Sequence, residues 1–161
     1  MRTAGHTLIE LLLVMSLLAV LASITAPSFA ALRSDLQLAT AADRLLQSAH
    51  QARTAALTRG VATRLCLADD NGQCLTRPAS APGWATWTLD AAPVLLRHDR
   101  LTPGTQLLAT RAAATWYPLP RSGTTLTLTL CDVAARGRAQ QVIISETGRP
   151  RLQRLTTRGC G

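Results

Sequence analysis

Residues 11–32 carry no charged side chain, and this one stretch limits what the chain can fold into more than any other feature. Wound as an α-helix, the run reaches about 33 Å at ~1.5 Å per residue, close to the ~30 Å thickness of a bilayer core. A segment this apolar has no polar face to turn toward water. It predicts a membrane-spanning helix over residues 6–32, with Arg2 before it and Arg33 after it. Glu10 breaks the pattern. A carboxylate at the edge of lipid is costly, so it implies a function or a partner.

Beyond the apolar run the spacing changes. Leu32, Leu36, Ala39, Ala42, Leu45, Leu46, Ala49, Ala52, Ala56 and Leu57 recur at steps of three and four, with Asp35, Asp43, Arg44, Gln47 and Arg53 between them. This pattern predicts an amphipathic helix over residues 33–60, continuous with the membrane helix and ended by Gly60 as its cap. After Gly60 the pattern shifts to period two. Strands are expected at 61–67, 84–89, 94–97, 124–131, 141–145 and 151–155, with a loop at 76–83. One helix followed by strands indicates an α+β architecture. Its body, residues 61–161, is an antiparallel sheet or sandwich packed on the helix stripe. About 100 residues of globular chain bury roughly two-thirds of their surface, enough for a modest core.

All 17 basic residues are arginine, against 9 acids, giving a net charge of +8. That balance favours polyanionic partners such as nucleic acid or anionic lipid. The excess is concentrated after Cys131, where Arg136, Arg138, Arg149, Arg151, Arg154 and Arg158 face only Asp132 and Glu146. The four cysteines, Cys66, Cys74, Cys131 and Cys160, all follow the apolar run. With no histidine at metal-ligand spacing beside them, they point to disulfides in an oxidising compartment and to no bound metal. Asp69-Asp70-Asn71-Gly72 is a strong turn signal that would bring Cys66 to Cys74, leaving Cys131 for Cys160. The same turn looks faintly like a calcium loop but lacks the later glutamate. Trp84 and Trp87, three apart on an expected strand, face opposite ways, so with Trp116 they read as packing residues and not as a base-stacking platform. His50 and His98 are isolated, and no Ser or Cys lies in a nucleophile motif. No catalytic constellation and no cofactor site is expected.

At Gly5-His6-Thr7-Leu8-Ile9-Glu10 the sequence resembles the type IV prepilin family, in which a peptidase cuts after the glycine of a short leader. The resemblance implies a leader over residues 1–5, cleavage between Gly5 and His6, and methylation of the new amine. Glu10 is then the assembly carboxylate that pairs with a neighbouring subunit's amine. His6 stands where the family usually has Phe, while Thr7-Leu8-Ile9-Glu10 and Pro27 match. The competing reading is a secretory signal cut after Ser28-Phe29-Ala30. The thin basic region, the long apolar run and the helical periodicity past that point disfavour it.

The body resembles the GspH/FimT-type minor pilins and pseudopilins at Ala52-Arg53-Thr54-Ala55-Ala56, Leu128-Thr129-Leu130-Cys131, Val142-Ile143-Ile144-Ser145 and Thr147-Gly148-Arg149. That branch includes pilus tip subunits, DNA-uptake subunits and a minor pseudopilin of type II secretion. Gly148-Arg149-Pro150-Arg151 matches the Gly-Arg-any-Arg motif of its DNA-binding members. Two arginines spaced two apart on extended backbone lie about 7 Å apart on one side, a fit to successive phosphates. Arg136, Arg138 and Arg154 are candidate extensions of that patch. The resemblance implies a non-enzymatic minor pilin. Its expected partners are double-stranded DNA, other pilin subunits, the prepilin peptidase and the inner membrane, with the body in the periplasm. The alternative is a secretion pseudopilin or pilus-priming subunit without DNA contact.

Overall fold

The computed structural model describes residues 7–78, 80–119, 123–133 and 138–155; within the helix, the side chains of 24–28, 30 and 31 also fall outside that description. Helix α1 runs Leu8–Arg59 and is 52 residues long. Its first part belongs to a compact unit that closes at Asp35, and its second part to a unit that opens at Leu36 and holds the rest of the chain.

In the first unit the described aliphatic side chains, among them Leu11, Leu12, Leu13, Val14 and Leu17, are exposed. Ser16 and Ser23 donate their hydroxyl hydrogens to the carbonyls of Leu13 and Val20 at 2.8 and 2.7 Å, so these polar atoms are satisfied within the helix. Among the described residues no helical stretch is long and apolar enough to cross a membrane. The described side chains make up only part of the uncharged run at 11–32.

In the second unit the buried seam of α1 is Leu38, Ala42, Leu45, Ala49, Ala52 and Ala56, at alternating steps of four and three. This corrects the expected stripe in detail. Leu36 and Leu57 are exposed, because at about 100° per residue they sit well off the line through Ala42, Leu45, Ala49 and Ala52. Alanine dominates the seam, which lets the sheets come close to the helix backbone. The helix ends at Arg59, and Gly60 follows with φ 66°, the left-handed cap that glycine adopts without a Cβ penalty.

Among the described residues, eight strands form two antiparallel sheets. The first sheet, in the order β3-β2-β1-β5, is built from β1 (Thr63–Ala68), β2 (Gly83–Thr88), β3 (Leu95–Arg100) and β5 (Ala113–Trp116). The second, in the order β4-β6-β7-β8, contains β4 (Thr105–Ala109), β6 (Leu126–Asp132), β7 (Ala139–Ile144) and β8 (Pro150–Leu155). A bridge between Ala81 and Leu107 ties them together. Leu65, Leu67 and Trp84 from the first sheet join Leu107, Leu126, Leu128, Leu130, Val142 and Ile144 from the second and the helix seam in one core. Each fully buried leucine contributes about 1.5–3 kcal/mol.

The alternating Leu-Thr run of β6 makes the reason plain: Leu126, Leu128 and Leu130 point inward, and threonines fill the other face. β4 and β5 were not expected from the pattern. Thr105-Gln106-Leu107-Leu108-Ala109 and Ala113-Ala114-Thr115-Trp116 do not alternate, so their strand character comes from pairing with β6 and β1. Between them residues 110–112 carry the chain from one sheet to the other. Thr110 N–H donates to Thr127 at 3.1 Å, and the carbonyl of Ala112 accepts from Leu67 N–H at 2.9 Å.

Cys66 and Cys74 are joined in a disulfide. Between them Asp69 Oδ1 accepts the N–H groups of Asn71 and Gln73 at 2.9 and 2.8 Å, and Asp70 pairs with Arg100 at 3.0 Å. These carboxylates shape a turn. Cys131 is also disulfide-bonded, while Cys160 lies outside the described residues.

Candidate functional site

The β7–β8 hairpin carries the residues singled out by the sequence. Its turn is closed by Gly148 N–H donating to the Ser145 carbonyl at 2.8 Å and by Ser145 N–H donating to the Arg149 carbonyl at 3.2 Å. The Ser145 hydroxyl lies 2.9 Å from that of Thr147 and accepts the Arg149 N–H at 3.2 Å. A turn with its polar groups so fully engaged holds Arg149 at a defined position.

Gly148 is the keystone of this turn. Its φ is +70°, and a Cβ built on it would lie 2.9 Å from both Cδ1 and Nε1 of Trp116. The Trp116 indole N–H donates to the Gly148 carbonyl at 2.8 Å, from within the core. Trp116 ends β5 in the first sheet, so one indole pins the arginine-bearing turn of the second sheet. Trp116 was expected as a packing residue, and its hold on this turn was not visible in the sequence.

Pro150 opens β8 opposite Ile144 and is buried, while Arg149 and Arg151 on either side of it are exposed. β8 is an edge strand, where proline's missing N–H costs no ladder bond. Arg151 pairs with Ile143, which pairs in turn with Thr127. Arg151 therefore shares the outer face of the sheet with Thr127, Thr129 and Gln141, whose amide donates to Thr129 Oγ1 at 3.0 Å.

Of the other candidate arginines, Arg138 and Arg154, which are described, do not gather there. Arg154 is three residues from Arg151 and opposite Gln140, so strand alternation puts it on the other face and nearer the far end of the hairpin. Arg138 is exposed and immediately precedes Ala139, the start of β7, also at that far end. Over the five residue steps of β7 that end is about 17 Å from the turn. The structure thus separates Arg149 and Arg151 from Arg138 and Arg154. Gly5, His6 and Arg136 lie outside the described residues.

Glu10 sits in the first turn of α1, where a carboxylate is favoured by the helix dipole, and its N–H donates to the Thr7 carbonyl at 3.1 Å. Of the three tryptophans, Trp84 and Trp116 are buried and Trp87 is half-buried. Trp84 Nε1 donates to Ser48 Oγ at 2.9 Å in the main core, and Trp87 Nε1 donates to Gly72 O at 3.1 Å on the other side of the first sheet. Among the described residues no group of His, Cys, Asp or Glu could hold a metal.

Comparison with known proteins agrees with this architecture. Residues 41–148 match the family model described as type II transport protein GspH, and residues 1–26 match the prokaryotic N-terminal methylation motif. The first match ends at Gly148, one residue before Arg149. No curated protein matches the sequence. Among solved structures, a crystal form of the type IV minor pilin FimU of Pseudomonas aeruginosa is similar with a TM-score of 0.57 and 20% identity, covering 74% of this chain and 90% of that one. A second crystal form of FimU gives 0.55 and 18%, covering 72% and 92%. At that identity the likeness shows the fold, an N-terminal helix packed on antiparallel sheets. With two-thirds of its length matched by the family model and the methylation motif at its N-terminus, the chain belongs to the GspH family of type IV pilin-like minor pilins and pseudopilins.

Proposed function

We propose that this protein is a minor type IV pilin that binds double-stranded DNA, without sequence preference, through Arg149 and Arg151 during DNA uptake. The observation that carries the proposal is the display of these two arginines. Both are exposed around buried Pro150, on a turn fastened by Trp116, at a sheet edge. Guanidinium groups carried on a backbone held in this way reach phosphates from a defined position and read no bases, which is what uptake of arbitrary DNA needs. The net charge of +8 supports the same partner. In this reading Gly5 and His6 flank the prepilin-peptidase cut, residues 6–32 anchor the subunit in the inner membrane, and the body stands in the periplasm until assembly.

The test is DNA binding by the full chain in a neutral detergent. With two to four phosphates neutralised, the log–log dependence of affinity on salt should have a slope of about −2 to −4. Arg149→Gln or Arg151→Gln should each flatten it by about one unit and weaken binding to all sequences alike. Binding by the double variant as tight as wild type would overturn the proposal.

One observation favours a second reading, a secretion pseudopilin without DNA contact. Trp116 gives Gly148 a purely structural reason to be glycine, and the family model that matches bears a type II transport name. Under that reading the double variant assembles and secretes normally, and the wild type binds no DNA.

A further inference from the structure

We propose that Arg111 is a second-strand contact, making the DNA site specific for duplex over single-stranded DNA; this rests on the DNA-binding reading of Arg149 and Arg151. The 110–112 corner and the β7–β8 turn lie at the same end of the second sheet, on its opposite edges. Their level is set by the ladder. Thr110 N–H donates to Thr127 O, and Thr127 N–H donates to Thr110 Oγ1 at 3.2 Å. Thr127 pairs with Ile143, and Ile143 with Arg151. Thr110 and Arg151 are therefore the two ends of one row across four strands, and exposed Arg111 is the next residue along.

Three strand spacings of ~4.8 Å separate the edges by about 14 Å. The residues between them in the row, Thr127 and Ile143, carry no charge. The only acid in either bounding turn is the exposed Glu146. Two cationic edges with a neutral strip between them match a duplex, whose major groove is about 12 Å wide with a phosphate row on each side. Arg149 and Arg151 take one row and Arg111 the other. A single strand offers one row, so it engages the β8 edge alone. Arg138 and Arg154, at the other end of β7 and β8, contribute little to this discrimination.

The experiment compares a short duplex with a single strand of the same length, using the full chain in neutral detergent and its Arg111→Gln, Arg111→Lys and Arg151→Gln variants. Arg111→Gln should weaken duplex binding and flatten its salt slope by about one unit while leaving single-strand affinity unchanged. Arg151→Gln should weaken both, and Arg111→Lys should restore the duplex preference because the charge remains. Equal loss on both substrates, or on neither, would overturn the second-strand role while leaving the β8 edge as the DNA site. Failure of the wild type to bind either DNA would overturn both readings together.

Discussion

Gly148 shows most directly how one residue joins fold and site. A side chain there would have to adopt φ +70° and meet the Trp116 ring at 2.9 Å. The left-handed backbone alone costs a non-glycine residue about 1–2 kcal/mol, and displacing the indole adds to that. Gly148→Ala should therefore lower stability by about 2–3 kcal/mol, read as a shift of the denaturant midpoint. Trp116→Phe keeps most of the ring but leaves the Gly148 carbonyl without its donor, for a cost of about 1–2 kcal/mol. An unchanged midpoint in Gly148→Ala would show that the turn is not held in this way. The glycine, the arginines and the turn were all legible in the sequence. The clamp was not, because Trp116 and Gly148 are 32 residues apart in different sheets.

Among the elements, the small hairpin between Cys66 and Cys74 was the most readable, since its turn residues lie between the two cysteines. Asp69 caps the loop and Asp70 fastens it to Arg100. With a sequence separation of 8, the bridge contributes about 2–3 kcal/mol in the chain-entropy model. Replacing both cysteines by serine should cost that much in an unfolding titration, and a loss below ~1 kcal/mol would show that the Asp69 and Asp70 contacts hold the loop unaided. β4 and β5 mark where local pattern stops being informative. Leu107 is fully buried beside half-buried Leu108, and the short β5 pairs antiparallel with β1 at the end of the first sheet. Neither run shows alternation, because each is paired on one side by a long-range partner that no local window contains. The helix seam teaches a related lesson. Its alanines and Leu45 were visible in the spacing, but its ends were not: Leu36 and Leu57 fitted steps of three and four yet lie off the line of the seam, while Leu38, on that line, completes it.

For the whole molecule, the N-terminal motif and the body make a subunit built to be processed and then assembled. The mature chain is expected to start at His6 with a methylated amine, and mass analysis finding a start at Ala31 would overturn that expectation. Glu10→Ala should leave processing intact yet reduce incorporation into filaments, measured in sheared fractions, because a buried amine would lose its carboxylate. By itself the sequence determined the α+β class, the helix followed by strands, the Cys66–Cys74 turn and the Gly-Arg hairpin. These depend on periodicity, turn chemistry and charge, which are properties of neighbouring residues. Only the tertiary structure decided how the strands divide into two sheets, which face of the helix is buried, and that Arg149 and Arg151 stand apart from Arg138 and Arg154. It also brought Arg111 to their end of the second sheet. Each of these follows from strand register and the close packing of residues far apart in the chain, and such pairings are settled only when the core closes.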